Sequence, residues 1–428
     1  MEKFVVTGGN PLVGEVNISG AKNAAVAIIP ATILAAGPCV LENVPNIRDT
    51  SIILKILHEM GAKIRYLDKT TVEIDTARIG SHVVSYDMAR HLRASYYLLG
   101  VLIGRFGKAM VPLPGGCYFG VRPIDQHIKG FESLGAEVEI VSGGIVSVQS
   151  ESLLGAPIFL DVVSVGATMN IMLAAVRAPG LTVIENAAKE PHIVDLANFL
   201  NSMGADVRGA GTDVIKIRGV QRLHGANYSI IPDQIEAGTY MVAAAATRGD
   251  VVVRNVIPKH LEPITSKLRK MGVEVTEHDE SVHVKRPGDL MRTNVKTLPH
   301  PGFPTDMQPQ MTALLTLAKG TSIVTEGVWD NRFRYVDELH RMGASIQVDG
   351  KVAVVEGRGY LTGAPVKATD LRAGAALVIA ALAAEGVTEI EDIQHVERGY
   401  EEMEKKLRML GADIKKIDIP GEALPAAL

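Results

Sequence analysis

Apolar positions along the chain recur in two interleaved patterns. The first is an amphipathic helix that ends in Leu-Gly or Met-Gly and runs into a short strand. It reads Glu59-Met60-Gly61-Ala62-Lys63-Ile64, then Ser133-Leu134-Gly135-Ala136-Glu137-Val138, and recurs at Met203-Gly204, Met271-Gly272, Met342-Gly343 and Leu410-Gly411. The six glycines lie 74, 69, 68, 71 and 68 residues apart. Glycine just past a helix adopts the left-handed conformation that closes it. The residues before it, as in Ile193 to Met203, carry apolar side chains at helical spacing. The second pattern is an Ala-rich helix, apolar nearly all round, that also ends in glycine. It covers Ala21 to Gly37, Met88 to Gly107, Val165 to Gly180, Gln234 to Gly249, Met307 to Gly320 and Leu371 to Gly386. A helix without a polar face is a buried helix. Val/Ile-rich runs such as Val251-Val252-Val253 and Thr388-Glu389-Ile390 follow these helices and read as strands.

The chain is therefore predicted to be six β/α units of about 70 residues, each with two helices and several strands. One such unit is barely large enough to fold alone. Three units packed around their apolar helices would bury them, so six predict two similar α/β domains; the alternative is a single elongated array. The polar, glycine-rich run between Gly204 and Gln234 suits a domain boundary.

Composition narrows the classes. Of 428 residues, 47% are hydrophobic and 21% charged, which excludes a disordered or fibrous chain. A balance of 44 basic against 48 acidic residues gives −4, so no cationic surplus exists to neutralise a nucleic-acid backbone. Anionic ligands must be met by local cations. Aromatics are 4%, with Trp329 the single tryptophan, which disfavours a stacking platform. Two cysteines, Cys39 and Cys117, make neither a disulfide framework nor a zinc site and suit a reducing compartment. No charged-then-apolar leader opens the chain, and no apolar run reaches the roughly 18 residues of a membrane span. A soluble cytoplasmic protein is expected.

The residues able to do chemistry gather at the starts of the apolar helices. Lys22 and Asn23 open the first, Arg93 lies near the start of the second, and Ser164 and Gly166 open the third. Asp233, Asp306 and Asp370 precede the last three, and Arg372 follows Asp370. Aspartate there has a structural explanation, since it caps exposed N–H groups. Lys22 and Arg372 do not, because a cation in the first turn opposes the helix dipole at up to about 1 kcal/mol. A bound anion would reverse that sign; a solvated surface lysine is the plainer alternative for Lys22. Cys39 reads as a small buried hydrophobe. Cys117 sits instead in Pro112-Leu113-Pro114-Gly115-Gly116-Cys117-Tyr118-Phe119-Gly120-Val121-Arg122-Pro123, a lid-like loop with Arg122 close by. A neighbouring cation lowers a thiol's pKa and activates it. Arg398, alone, reads as a surface ion pair with Glu397 or Glu401. Walker, HExxH and GxSxG motifs are absent, and dispersed histidines give a metal site no support.

The strings SGAKNA, LPGGCYFGVRPIDQH, FPTDMQPQ, ATDLRAG and HVERGYE together resemble the UDP-N-acetylglucosamine 1-carboxyvinyltransferase family over essentially the whole chain. That resemblance implies an inside-out α/β barrel fold of two domains with three repeats each, at 22–229 and at 1–21 plus 230–428. It implies transfer of the enolpyruvyl group of phosphoenolpyruvate to the 3′-hydroxyl of UDP-N-acetylglucosamine, with release of phosphate through a tetrahedral intermediate, as the first committed step of peptidoglycan synthesis. It implies small-molecule substrates, no metal or organic cofactor, and no membrane or nucleic-acid partner; the oligomeric state stays open. By the same resemblance, Lys22, Asn23, Arg122 and Arg398 face phosphoenolpyruvate, with Lys22 and Arg398 also catalytic. Cys117 is the loop acid and nucleophile, and Asp306 takes or orients the hydroxyl proton. Asn23, Arg93, Arg122, Pro123, Ile124, Asp125, Gln126, Ser164, Gly166, Asp306 and Val328 match nucleotide-sugar positions, and Asp370 and Arg372 support the intermediate. Domain closure would bring Cys117 and Arg398 together. Rival readings are the related synthase of 5-enolpyruvylshikimate 3-phosphate, which lacks the loop cysteine, the RNA 3′-terminal phosphate cyclases, which need a nucleotidyl-accepting histidine, and a non-catalytic binding paralogue.

Overall fold

The computed structural model describes residues 2–89, 92–113, 124–141 and 143–418, with the backbone alone at Met88 and Arg93. Cys117, Arg122 and Pro123 lie outside the described residues. The chain divides into two compact units. The first is Ser19–Asp233 with Pro299–Pro301; the second comprises the described parts of Met1–Ile18, Gln234–Leu298 and Gly302–Leu428.

Each unit holds three repeats of one plan: a short strand, an apolar helix, a strand, an amphipathic helix, then two further strands, with a lone bridge from Val83 to Met110 in place of the short strand in the second repeat. In the third repeat the order is Pro157–Phe159, Val165–Ala175, Leu181–Glu185, Pro191–Ser202, Asp206–Arg208 and Val214–Arg218. The short strand pairs in parallel with the strand after the apolar helix, as Ile158 with Ile184, and the remaining pairs are antiparallel. A parallel pair needs such a helical crossover, whereas the antiparallel pairs need only hairpins. Two segments close their units from far along the chain. Glu2–Thr7 lies between Val387–Glu391 and Asp413–Asp418, and Asn227–Ser229 pairs in parallel with Cys39–Glu42.

The two sequence patterns explain the layering. Apolar helices such as Val165–Ala175, Gln234–Ala246 and Leu371–Ala383 are buried on nearly every face and form the centres of their units. Amphipathic helices such as Arg48–Glu59 bury one stripe, and strands such as Asp250–Arg254 bury alternate residues, so the sheets lie outside. This is the expected inside-out arrangement. Gly61, Gly135, Gly204, Gly272, Gly343 and Gly411 all have positive φ, so the six-fold Leu/Met-Gly signal marks real helix ends. Tyr97–Phe106 approaches Val165–Ala175 closely because Gly100 and Gly104 present no side chain: a Cβ on Gly100 would stand 2.5 Å from the Asn170 carbonyl oxygen.

Two local expectations need correction. The apolar run from Met88 is not one helix: a short turn at Tyr86–Ala89 is followed by a 3-10 turn at Arg93–Tyr96 and then Tyr97–Phe106, with Leu92 extended between them. The polar run after Gly204 is not a linker. Its glycines Gly209 and Gly211 take positive φ in a hairpin between Asp206–Arg208 and Val214–Arg218, whose Ile215 and Ile217 are buried.

Candidate active site

In the first unit the side chains of interest stand at helix starts. Lys22 is the first residue of Lys22–Ala31. Its backbone N–H, which has no partner within the helix, donates to Asp233 Oδ2 at 3.0 Å. Asp233 therefore caps this helix from 211 positions along the chain. Lys22 is no solvated surface lysine. Its side chain is 14% exposed and its Nζ lies 3.1 Å from Asp49 Oδ2, a carboxylate only 2% exposed at the start of Arg48–Glu59. The charge that opposes the dipole is thus met by a carboxylate of the protein itself. Asn23 follows on the same turn, and Arg93 opens the 3-10 turn Arg93–Tyr96.

Ile124 precedes Asp125–Ser133. Gln126 donates to Asp125 Oδ2 at 2.9 Å and to Asp161 Oδ2 at 3.1 Å, and accepts from the Asp161 N–H at 2.9 Å. It thereby ties this helix to the loop that leads into Ser164. Lys129 and Gln126 hold the Asp161 carboxyl below the usual range. Ser164 caps Val165–Ala175, its hydroxyl accepting from the Ala167 N–H at 3.3 Å. Gly166 is small for a reason: a Cβ there would meet His127 Nε2 at 3.0 Å. His127 is buried, and burial pushes its pKa down to about 4. Asn170 Oδ1 accepts the Gly100 N–H, so its Nδ2 donates to His127 Nδ1 at 2.9 Å and the ring proton is assigned to Nε2.

In the second unit Asp306 sits in the 3-10 turn Thr305–Met307. Its Oδ1 accepts from Arg332 Nη2 at 3.2 Å; its Oδ2 accepts from Arg372 Nη2 at 3.0 Å and Nε at 3.3 Å. Both arginines are about 5% exposed or less, while Asp306 is 28% exposed. The carboxylate is therefore part-exposed yet held through both oxygens, by Arg332 on Oδ1 and by two converging donors of Arg372 on Oδ2. Asp370 does cap its helix, accepting from the Arg372 and Ala373 N–H groups at 2.9 and 3.1 Å. Arg372 also lies 5.5 Å from the Tyr400 ring. As with Lys22, the anion that compensates a first-turn cation is a carboxylate from elsewhere in the chain.

Arg398 lies in the turns between Ile393–His395 and Met403–Met409. Glu397 beside it pairs with Lys416 at 2.6 Å, so one of the two surface partners expected for Arg398 is engaged elsewhere. Two residues on, Tyr400 is buried and pinned: its hydroxyl lies 2.9 Å from Thr239 Oγ1 and accepts from Gln310 Nε2 at 3.2 Å. Val328 is partly exposed on the loop after Gly320–Thr325, where its N–H donates to Glu326 Oε1 at 2.9 Å. Cys39 is buried, and burial raises its thiol's pKa. Among the described residues no group of three His, Cys, Asp or Glu side chains could hold a metal ion. No helix among them is long and apolar enough to cross a membrane.

Sequence reasoning passed over Asp49, Arg332, Glu326 and His127. Asp49, Arg332 and His127 act on Lys22, Asp306 and Gly166 from other elements, Glu326 binds the nearby Val328 N–H, and His127 alone lay inside a quoted motif.

Comparison with known proteins defines the class. The family described as EPSP synthase (3-phosphoshikimate 1-carboxyvinyltransferase) matches residues 6–407. Among solved structures, the enolpyruvyl transferase NikO from Streptomyces tendae superposes with a TM-score of 0.89 at 27% identity, covering 98% of this chain and 99% of its own. An EPSP synthase from Acinetobacter baumannii, at 20% identity and TM-score 0.77 over 98% and 100% of the two chains, shares the fold. The fold and the matched sequence are thus those of a carboxyvinyltransferase. A UDP-N-acetylglucosamine 1-carboxyvinyltransferase of Clostridium botulinum is 59% identical over 97% of this chain and 100% of its own length. One from Caldanaerobacter subterraneus subsp. tengcongensis is 58% identical, again over 97% and 100%. The chain belongs to the UDP-N-acetylglucosamine 1-carboxyvinyltransferase family.

Proposed function

We infer that this chain transfers the enolpyruvyl group of phosphoenolpyruvate to the 3′-hydroxyl of UDP-N-acetylglucosamine, releases phosphate, and so begins peptidoglycan synthesis. The observation that carries this reading is the 58–59% identity, over nearly the full length of both chains, to relatives of that name.

The residues divide the chemistry between them. Lys22, Asn23, Arg122 and Arg398 bind the phosphate and carboxylate of phosphoenolpyruvate; guanidinium forks suit both oxyanions. Arg93, Pro123, Ile124, Asp125, Gln126, Ser164, Gly166 and Val328 hold the nucleotide sugar. Asp306 accepts the proton of the 3′-hydroxyl, whose oxygen bonds to C2 of phosphoenolpyruvate while the Cys117 thiol delivers a proton to C3. The adduct carries phosphate and sugar on one tetrahedral carbon. Loss of a proton from C3 then restores the double bond as the C2–O bond to phosphate breaks. Asp370 and Arg372 support that intermediate, Asp370 by fixing the first turn that bears Arg372, and Arg372 by gripping Asp306. The gripped, part-open carboxylate of Asp306 suits a base that must meet one hydroxyl in one orientation. Both substrates are anionic and the chain carries −4, so attraction has to come from clustered cations and helix N-termini. We place the reaction in the cytoplasm, where reducing conditions keep Cys117 a thiol.

The test is phosphate release from phosphoenolpyruvate with UDP-N-acetylglucosamine or shikimate 3-phosphate as acceptor, chelator present. Release with the nucleotide sugar alone is expected. Release with shikimate 3-phosphate, or with neither, overturns the assignment.

A further inference from the structure

Glu326 is a carboxylate 1% exposed that the reaction outlined above does not use. The repeats show why it is unusual. In three of them the residue after the strand that follows the apolar helix is an asparagine at positive φ: Asn43, Asn186 and Asn255. Each amide donates to a backbone carbonyl at the end of the parallel neighbour, Ile230, Leu160 and Ile18, at 2.8, 2.8 and 2.7 Å. An asparagine thus suffices to tie two strand ends together.

The repeat that carries Asp306 has glutamate at this position, and its bonds reach further. Glu326 Oε1 accepts from Thr297 Oγ1 at 2.7 Å, from the Val328 N–H at 2.9 Å and from the Trp329 N–H at 3.1 Å. Thr305 Oγ1 lies 3.1 Å from both carboxylate oxygens. Thr297 Oγ1 in turn accepts the Gly327 N–H at 2.8 Å. One carboxylate therefore joins three segments: the end of the short strand at Thr297, the turn Thr305–Met307 that carries Asp306, and the loop that carries Val328. Burying a carboxylate is costly unless hydrogen bonds complete it, and one so completed is held stiffly.

We propose that Glu326 is a positioning residue for the acceptor half of the reaction, setting Asp306 through Thr305 and setting Val328 through the loop N–H groups. The inference rests on the assignment of Asp306 and Val328 to the acceptor sugar. It predicts a lower kcat and a poorer acceptor KM, with the KM for phosphoenolpyruvate spared. A misplacement of about 1 Å at a reacting group can cost roughly 100-fold.

Steady-state phosphate release by the full chain tests it, with Thr305→Val, Glu326→Asp and Glu326→Gln. Thr305→Val removes one hydroxyl at nearly constant shape. Glu326→Asp keeps the charge and shortens the reach by one methylene. Glu326→Gln keeps the reach, because its oxygen can take the donors of Oε1 while its amide donates to Thr305. Thr305→Val and Glu326→Asp are each expected to lower kcat/KM for UDP-N-acetylglucosamine by about 10- to 100-fold. The KM for phosphoenolpyruvate should stay within about twofold. The double variant should be no worse than the worse single, since both cut the same link. Glu326→Gln should recover most of the loss. Wild-type kinetics in Thr305→Val and Glu326→Asp overturn the proposal. So does a KM for phosphoenolpyruvate that rises as far as the KM for UDP-N-acetylglucosamine, which would mark general loosening of the unit. If the Glu326 variants do not fold, Thr305→Val alone decides on the same criteria. Failure of the wild-type chain to release phosphate would refute the reaction itself, and it is read before any variant is made.

Discussion

Replacing Asp306 by asparagine separates holding from chemistry. The carboxylate receives three charge-assisted hydrogen bonds, one from Arg332 and two from Arg372. Asparagine can keep its oxygen toward one arginine only, and its NH2 then faces the donors of the other. Bonds to charged groups contribute about 1.5–3 kcal/mol each. Asp306 is 28% exposed, so water partly replaces what is lost and a net cost near 2 kcal/mol is expected. For a body of about 200 residues that lowers the unfolding midpoint by roughly 4–8 °C. The chemical cost is larger, because removing a general base slows a reaction by about 10²–10⁴-fold, or roughly 3–5 kcal/mol of barrier. The variant should therefore be folded at 25 °C and nearly inactive. Phosphate release at saturating concentrations of both substrates, beside calorimetry of the same sample, checks both numbers. A kcat within threefold of wild type would remove Asp306 from the proton transfer, and so would a fall in kcat that only tracks the folded fraction.

Cys117→Ala should lose most activity and become insensitive to thiol-directed epoxides; retained wild-type sensitivity would exclude Cys117 as the nucleophile. Gly100→Ala should destabilise the first unit by about 3 kcal/mol, because its Cβ would stand 2.5 Å from the Asn170 carbonyl oxygen and 2.7 Å from Asn170 Oδ1. An unfolding free energy from urea titration lowered by less than about 0.5 kcal/mol would show that the helix pair can part freely. Acid stability of the same unit should reflect two buried groups of opposite sign. Burial lowers the His127 pKa from 6.5 to about 4, so its contribution is complete above pH 6.5 and is lost as pH falls toward 4. Burial raises the Asp195 pKa from 3.8 to about 6, so its contribution is present below pH 3.8 and is lost as pH rises through 6. Each amounts to about 3 kcal/mol at most, and they cancel over pH 4 to 6. With His127→Gln only the Asp195 contribution of this pair remains, so across that window the variant's stability should rise more as pH falls than the wild type's does. An unchanged slope in that variant would refute the assignment of His127 as buried and neutral.

Much of the architecture is written in local terms. The Leu/Met-Gly pairs mark helix ends at all six places because only a residue without a Cβ takes positive φ there without strain. The apolar runs mark the central helices because nothing else accommodates a helix with no polar face. Local reading failed where one local signal masked another. Glycines at 209 and 211 suggested a linker, but Ile215 and Ile217 two residues apart identify a half-buried strand, and the glycines turn the hairpin into it. A third repeat mark was overlooked: Asn43, Asn186 and Asn255 stand at equivalent strand ends and could have been aligned from the sequence.

The candidate site was legible through its electrostatic anomalies and illegible in its partners. Lys22 and Arg372 stood out because a cation in the first turn of a helix is unfavourable by itself. The inference that each needed an anion was sound; that the anion need be a ligand was not. Asp49 and Asp306 already supply it, and no spacing rule joins Lys22 to Asp49 or Arg372 to a residue 66 positions earlier. On the proposed assignment of Lys22 to phosphoenolpyruvate, this changes what binding must do. An anionic substrate approaching Lys22 meets an ammonium already shared with a buried carboxylate, so it gains less than it would from a free lysine. The ammonium is held in one place in return. A pre-paired cation of this kind contributes more to orientation than to raw affinity. On the proposed assignment of Asp306 to the acceptor hydroxyl, Arg372 serves that side in the same way, through two donors on Asp306 Oδ2. In each unit, then, the anomalous cation is fixed in position by a carboxylate of the same unit.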